Sequence, residues 1–330
     1  MNDSLPLVFE FTTNRLQDWE NTTGKDQFIT DTTLQGFGCK VTPKQTKSFF
    51  VRGRISKAST PRKVFGRFPK MAIIDARREA KILLEFSLDL QGQILQLDHE
   101  ISDDIYNYFK TLINKRLEFQ PISQIIGERY FWKNKFIVSP NVLDPRPDTE
   151  TLIEHTLSQG KFCKILDLGT GSGCIILSLL DEYKDAIGVG IDKSEDALNV
   201  AKQNANLLSL SQRVSFNLGN WCEGIKEKFD LIISNPPYIS ENDMKILSKS
   251  VLNWEPRMAL TPEGDGLGAY RHILDGAKNL LIPNGKLILE IGYDQGKQVT
   301  HLLKNHGYKD IELVKDINNK DRVLSASWIE

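Results

Sequence analysis

Four residues in the last third of the chain, Asn235-Pro236-Pro237-Tyr238, follow the apolar run FDLIIS at 229–234. That run is short and rich in β-branched residues, which predicts a buried strand with Asn235 at its C-terminal end. Pro236 and Pro237 lack backbone N–H groups and fix φ, so the segment presents carbonyl oxygens in a rigid geometry that needs no ladder pairing. Asn235 adds a side-chain carbonyl, and Tyr238 a flat ring able to cover a planar group. The guest that suits this set is a planar nitrogen with two hydrogens, as in a carboxamide or an exocyclic amine. By themselves, the four residues also read as a strand that ends in a proline turn.

A second group of residues could hold a nucleoside. The segment ILDLGTGSGCIILSLL, 165–180, reads as a strand, a glycine turn and a helix start. Gly169, Gly171 and Gly173 let the backbone bend tightly and let a ligand approach atoms that a Cβ would shield. The spacing is GxGxG rather than GxGxxG, which argues against a dinucleotide. Asp167 ends the first strand, where it could receive an ammonium group. Asp192 ends the next, about 20 residues after the turn, where a carboxylate can accept both ribose hydroxyls. It is equally placed to cap the helix that follows. Trp221 comes after the third strand, either beside an adenine or in the core. Together the two acids and three glycines describe an adenosine ligand that carries an amino acid, held at the C-terminal edge of a parallel sheet.

The elements that must position these groups alternate from residue 163 onward: KILDLG, a helix from about 172, AIGVGID, a helix from about 194, VSFNLG, FDLIISN, a helix from about 266, and KLILEIG. Such alternation predicts a mainly parallel sheet covered by helices on both faces. Residues 311–328 read as two more strands, an antiparallel edge pair. Upstream, helical spacing of Ile73, Ala76, Ala80, Leu83, Leu84 and Leu88, and of Ile105, Tyr108, Phe109, Leu112 and Ile113 after Ser102-Asp103-Asp104, predicts a small helical unit. YFWKNKFIVSP, 130–140, predicts a hairpin about a Lys-Asn-Lys turn.

Length allows two or three domains in the 330 residues. The 42 basic and 43 acidic residues nearly cancel but are unevenly placed. Residues 1–70 carry a net charge of +6 and residues 71–330 a net of −7, and Thr33 to Lys70 holds ten basic residues and no acidic one. The four cysteines (Cys39, Cys163, Cys174, Cys222) form no CxxC pair and the five histidines show no ligand spacing, which predicts a reducing compartment and no metal site. No apolar run approaches 18 residues, so the expectation is a soluble, cytoplasmic protein with no membrane partner.

From about residue 72 to the end the chain resembles Rossmann-like, class I S-adenosylmethionine-dependent methyltransferases, and more narrowly the HemK/PrmC family of protein-(glutamine-N5) methyltransferases that act on peptide chain release factors. The segments that carry the resemblance are RLEFQPISQIIG, DPRPDTETLIE, ILDLGTGSG, GNW, ISNPPYI, NWEPRMAL, GDGLGAYRHI, LEIGYDQG and the late DRVL. The family pattern implies that Gly169, Thr170, Gly171, Ser172, Gly173, Asp192, Trp221 and Asn235 contact S-adenosylmethionine. It implies that Asn235, Pro236, Pro237 and Tyr238 hold the glutamine of a release-factor GGQ motif. Asp144 stands where an aliphatic residue is usual and Asp148 where Glu is common. Pro145 to Glu150 should form a stiff turn at the active-site mouth, with Arg146 and Glu150 as an alternative structural ion pair.

An amide nitrogen is a poor nucleophile, so such a site must align it and accept hydrogens from both N–H bonds as charge develops. The Asn235 oxygen and the Pro236 carbonyl are the candidate acceptors, and the residues supply no general base.

Residues 12 to about 80 resemble the arm-type DNA-binding domain of phage-type tyrosine integrases, through ITDTTLQGFGCKVTPKQTKSFFVRGRI and KVFGRFPKMAIIDARREA. Phe49, Phe50, Val51 and Ile55 interleaved with Arg52, Arg54, Arg62, Lys63 and Arg67 would present a basic sheet to DNA through residues 33–70. The expected organisation is therefore a basic α+β module at 1–70, a helical docking domain at 71–128 and a methyltransferase domain at 129–330, with 129–150 as hairpin and linker. Two rival readings follow: an adenine-N6 DNA methyltransferase guided by the front end, and a DNA-binding protein whose second half only senses cofactor. Against the first, about 50 residues between NPPY and the next strand leave no space for the target-recognition domain that base extrusion needs.

Overall fold

The computed structural model describes residues 8–34, 37–52, 62–68, 72–88 and 102–329. It divides into two compact units, Met1–Ile126 and Gly127–Glu330.

In the first unit, β1 (Val8–Phe9), β2 (Gln27–Asp31), β3 (Phe37–Val41), β4 (Lys47–Arg52) and β5 (Arg62–Phe68) form one sheet in sequential order. Helix α1 (Thr13–Asp18) lies between β1 and β2 in the chain, and α2 (Ile73–Ser87), α3 (Asp103–Leu117) and α4 (Ile122–Ile126) follow. The Ser102 side chain caps α3 by accepting the Ile105 amide. Phe37, Phe49 and Ile29 from the sheet share one apolar core with Ala76, Leu83, Leu112 and Ile113 from the helices. Each such fully buried Phe, Leu or Ile side chain contributes roughly 1.5–3 kcal/mol, so sheet and helices stabilise each other. Arg77 of α2 reinforces this, donating from Nε and Nη2 to the two oxygens of Asp31 at 2.7 and 2.9 Å.

The second unit opens with a hairpin, β6 (Glu128–Phe131) and β7 (Asn134–Ile137). Its turn is Trp132-Lys133 rather than Lys-Asn-Lys: Trp132 takes a left-handed φ of 53°, and Asn134 already pairs with Phe131. A 3₁₀ turn at Pro147–Thr149 leads into α5 (Glu150–Ser158). There follow β8 (Lys164–Leu168), α6 (Cys174–Glu182), β9 (Ile187–Asp192), α7 (Glu195–Leu207), β10 (Val214–Leu218) and β11 (Phe229–Ser234). After α8 (Lys249–Trp254), α9 (Arg257–Leu260) and α10 (Gly268–Ala277) come β12 (Leu281–Glu290), α11 (Gly296–Asn305), β13 (Lys309–Lys315) and β14 (Asp321–Ser327).

The seven-stranded sheet runs β10-β9-β8-β11-β12-β14-β13. The first five strands are parallel and β14 pairs antiparallel with both β12 and β13, as the sequence pattern predicts. The chain leaves β8 toward β9 on one side and later adds β11 on the other. The two adjacent C-terminal ends, one carrying the glycine turn and one carrying Asn235, therefore flank a topological switch point, where open α/β sheets leave a crevice. Among the described residues, no helix is long and apolar enough to cross a membrane, and no group of His, Cys, Asp and Glu side chains is placed to hold a metal ion.

Candidate active site

The crevice at these strand ends encloses a cavity of about 710 Å³, within the range of small-molecule sites. Gly169, Thr170, Gly171, Ser172, Asp192, Trp221, Asn235 and Pro237 line it. Gly173 lies behind this lining, where it starts α6 with a φ of 78°. Gly169 and Gly171 also take left-handed φ values of 73° and 54°, which side chains rarely adopt. Space at Gly171 is open for a ligand, since a Cβ there would meet no atom within 4 Å. A Cβ at Gly169 would lie 3.4 Å from the Trp221 ring, so the indole closes over the glycine turn.

Asp192 does not cap α7, since Ser194 does so through the Ala197 amide. The Asp192 carboxylate bridges two backbone donors instead, accepting the Gly171 amide on Oδ2 at 2.8 Å and the Ser194 amide on Oδ1 at 2.9 Å. Each oxygen keeps lone-pair capacity for a hydroxyl. Asp167 is fully buried and does not line the cavity. Its Oδ2 accepts the Thr170 hydroxyl at 2.7 Å, while Oδ1 has no partner among the described residues. Burial pushes this carboxyl up to about 7, against the Thr170 hydrogen bond. Asp167 thus holds the glycine turn through Thr170.

On the other side of the switch point, Asn235, Pro236, Pro237 and Tyr238 line a second cavity of about 180 Å³ with Leu143, Arg146 and Glu290. Asn235 and Pro237 line both cavities. The segment is clamped from several sides. Asn235 Nδ2 donates to Thr149 Oγ1 at 3.2 Å, Gln295 Nε2 donates to the Tyr238 carbonyl at 2.9 Å, and the Ile239 amide donates to the Leu260 carbonyl. The Tyr238 hydroxyl reaches Glu290 Oε1 at 3.3 Å. Burial, with the neighbouring Glu290 charge, drives the Tyr238 phenol well above its usual range.

The PRPDTE turn ties these pieces together. Arg146 pairs with the buried Glu255, Asp148 with Arg322 at 3.3 Å, and Glu150 accepts the Trp132 amide at 2.9 Å. Arg146 and Glu150 are thus not partners of each other. Arg322 also holds Asp316 at 3.1 Å, so the late DRVL segment anchors the turn at the cavity mouth. Asp144 is buried, with Oδ1 lacking a partner among the described residues and Arg129 4.0 Å from Oδ2.

Sequence reasoning missed Thr149 and Glu290. A signal for Glu290 exists: a carboxylate closing the apolar strand LILE is anomalous unless it has a purpose. Thr149 has none, because only the fold brings it to Asn235.

These residues fit an adenosine ligand with an amino-acid moiety: an open glycine turn, a carboxylate with free lone pairs, an indole over the turn and a largely apolar chamber. Comparison with known proteins agrees. A methyltransferase domain family matches residues 159–324 and the PrmC N-terminal domain matches residues 65–127. The chain is 41% identical over 263 residues to the release factor glutamine methyltransferase of Cereibacter sphaeroides, covering 78% of this chain and 94% of that one. It is 35% identical over 314 residues to the bifunctional methyltransferase of Rickettsia felis, covering 85% of this chain and 58% of that longer protein. Among solved structures, the hMettl16 catalytic domain superposes with a TM-score of 0.50 at 15% identity, covering 76% of this chain and 92% of that one, a likeness of fold. The chain therefore belongs to the HemK/PrmC family of release factor glutamine methyltransferases, with the class I S-adenosylmethionine-dependent methyltransferase fold.

Proposed function

We propose that this protein methylates the side-chain nitrogen of a glutamine in a peptide chain release factor. The observation that carries the reading is the position of Asn235 at the junction of the two cavities. The larger is lined by the residues that would hold the cofactor: the Gly169–Ser172 turn, Asp192, Trp221 and Asn235. The smaller would take the carboxamide between Asn235, Pro236, Pro237 and Tyr238.

When bound, S-adenosylmethionine supplies an electrophilic methyl group. The chain's own part is positional. The Asn235 oxygen and the Pro236 carbonyl accept the two N–H hydrogens, which orients the nitrogen and stabilises the positive charge that grows on it. Tyr238 covers the carboxamide plane. A translation factor as substrate, and four cysteines that are all free thiols, fit a cytoplasmic enzyme.

The family match to residues 65–127 begins inside the stretch that resembles an integrase arm-type domain. Two of the basic residues there are engaged internally: Lys40 pairs with Asp26 at 2.6 Å and Lys47 donates to the Gln17 carbonyl. Arg54 and Ile55 and the side chains of Val51, Arg52, Arg62 and Lys63 lie outside the described residues. Neither observation favours DNA as a partner or adenine as the substrate.

The test is to supply methyl-labelled S-adenosylmethionine, a release factor and duplex DNA together, and to locate the label by mass spectrometry. Label on a release-factor glutamine is expected, and label on adenine overturns the reading. Asn235→Ala should lower kcat by about 10²–10³-fold, the usual effect of removing one preorganised polar group.

A further inference from the structure

We infer that Gln295 is a positioning residue for methyl transfer, one that fixes the place of the Pro236 carbonyl through the backbone of Tyr238. The inference rests on the proposed reaction, in which that carbonyl accepts one N–H of the substrate amide.

Pro236 and Pro237 have no N–H by which the fold could hold them, so the acceptor they present is placed from the two ends of the segment. At the near end, Ser234 is held in the sheet, where it pairs with Leu289 of β12. At the far end, Gln295 Nε2 donates to the Tyr238 carbonyl at 2.9 Å and the Ile239 amide donates to the Leu260 carbonyl at 3.0 Å. The Gly266 backbone closes on the same Tyr238 oxygen, since a Cβ there would lie 2.5 Å from it. The cofactor cavity is lined by neither Gln295 nor Tyr238. Loss of the Gln295 donor therefore frees the far end of the clamp, moves the Pro236 carbonyl off the line of transfer, and leaves the cofactor's residues in place.

Geometry decides which end of the Gln295 amide faces Tyr238. The Gly292 amide meets Gln295 Oε1 at 3.0 Å, and a backbone N–H only donates, so the oxygen end is the one turned to Gly292. The Tyr270 hydroxyl reaches the same oxygen at 3.2 Å. The NH₂ end is left for the Tyr238 carbonyl, which only accepts. A flipped amide would set donor against donor at Gly292 and acceptor against acceptor at Tyr238. Gln295 is 8% exposed, and its main chain is fixed as well: its amide donates to the Gly292 carbonyl at 2.9 Å, and its carbonyl accepts the Val299 amide of α11 at 3.0 Å. A Cβ at Gly292 would lie 2.9 Å from Oε1, so the glycine lets the side chain lie against the backbone. Both ends of the amide are matched on a fixed main chain, which makes Gln295 a rigid anchor for Tyr238.

The experiment compares wild type, Gln295→Met and Gln295→Glu on a release factor with S-adenosylmethionine. It measures kcat and KM from pH 6 to pH 9, cofactor affinity by calorimetry, and thermal unfolding. Met keeps the length of the side chain and removes both polar ends. Below its melting temperature, Gln295→Met should lose about tenfold or more in kcat, as an ångström-scale misplacement does, with cofactor affinity near wild type. Glu keeps an acceptor for Gly292 and Tyr270, but can donate to the Tyr238 carbonyl only when protonated. The ratio of its kcat to that of wild type should therefore rise from pH 9 to pH 6, while the ratio for Gln295→Met stays flat. The ionisable groups around Gln295 are Tyr238, Tyr270 of α10, Glu290 of β12, and Asp321 and Arg322 of β14, and all three proteins share them. Wild-type kcat in Gln295→Met, a loss of cofactor affinity as large as the loss of kcat, or a Gln295→Glu ratio that does not change with pH overturns the inference. If Gln295→Met fails to fold, the Gln295→Glu profile decides by itself. Absence of glutamine methylation by the wild type instead overturns the proposed reaction, and the inference with it.

Discussion

Asp192 reaches back across 21 residues to accept the Gly171 amide at 2.8 Å, so the acid at the end of β9 fixes the shape of the glycine turn after β8. A residue expected to bind a ribose also holds the backbone that approaches the ligand. Asp192→Ala should raise the dissociation constant for S-adenosylmethionine by about tenfold or more, since two backbone donors lose their partner as well as the ligand losing a carboxylate. Asp192→Asn, which keeps one acceptor oxygen, should fall between. Titration calorimetry reads both, and wild-type affinity in Asp192→Ala would remove the residue from the site.

Gly266 bears on the substrate side of the crevice. Its φ is 78°, and a Cβ there would lie 2.5 Å from the Tyr238 carbonyl oxygen and 3.1 Å from Gln295 Nε2. Gly266→Ala should therefore push on the carbonyl that Gln295 holds and displace Tyr238. A loss of more than about 1 kcal/mol in stability, with kcat/KM reduced by a larger factor than cofactor affinity, is the expected outcome from denaturant titration and steady-state kinetics.

The two buried acids set a pH dependence of stability. Asp167 and Glu290 titrate near 7 in the fold, against ordinary values of 3.8 and 4.5. In the window between, the unfolded chain has released protons that the folded one keeps. Their contribution is therefore most favourable below pH 4 and is lost as pH rises to about 7, at up to about 4 kcal/mol for Asp167 and about 3 kcal/mol for Glu290. Asp167→Asn with Glu290→Gln should flatten that loss. Urea midpoints at pH 5 and 7.5, compared between variant and wild type, measure it, and parallel slopes would show that neither acid is proton-coupled to folding.

In the first unit, the paired bonds from Arg77 satisfy an Asp31 side chain with no solvent exposure, and Asp31 Oδ1 also accepts the Phe11 amide. Arg77→Leu leaves a buried carboxylate unmatched, which should cost about 3–5 kcal/mol. Hydrogen exchange should then show early opening of β2 and α2 together. Opening of β2 alone would mean that the sheet and the helices are stabilised separately.

Shared stability of that kind bears on how the chain is divided. Charge and resemblance place a boundary at residue 70, because the net charge changes there from basic to acidic. Phe37 and Phe49 before it nevertheless pack in one core with Leu83 and Leu112 after it. Composition reports what faces water, and the partner of an apolar face is not written in its own segment.

By itself the sequence determined the parallel sheet, the glycine turn, the strand that delivers Asn235 and the family, because these follow from local periodicity, residues with special backbone freedom and motifs contiguous in the chain. It also placed Asp192 at the end of its strand. Tertiary structure decided what each motif holds. Arg146 met Glu255 rather than Glu150, Asp167 turned inward to Thr170 instead of lining the cavity, Thr149 came to Asn235 from 86 residues away, and Glu290 came to Tyr238 from 52. Those pairings depend on which strand ends the sheet brings side by side, and that order is set by the packing of the whole unit rather than by any one segment.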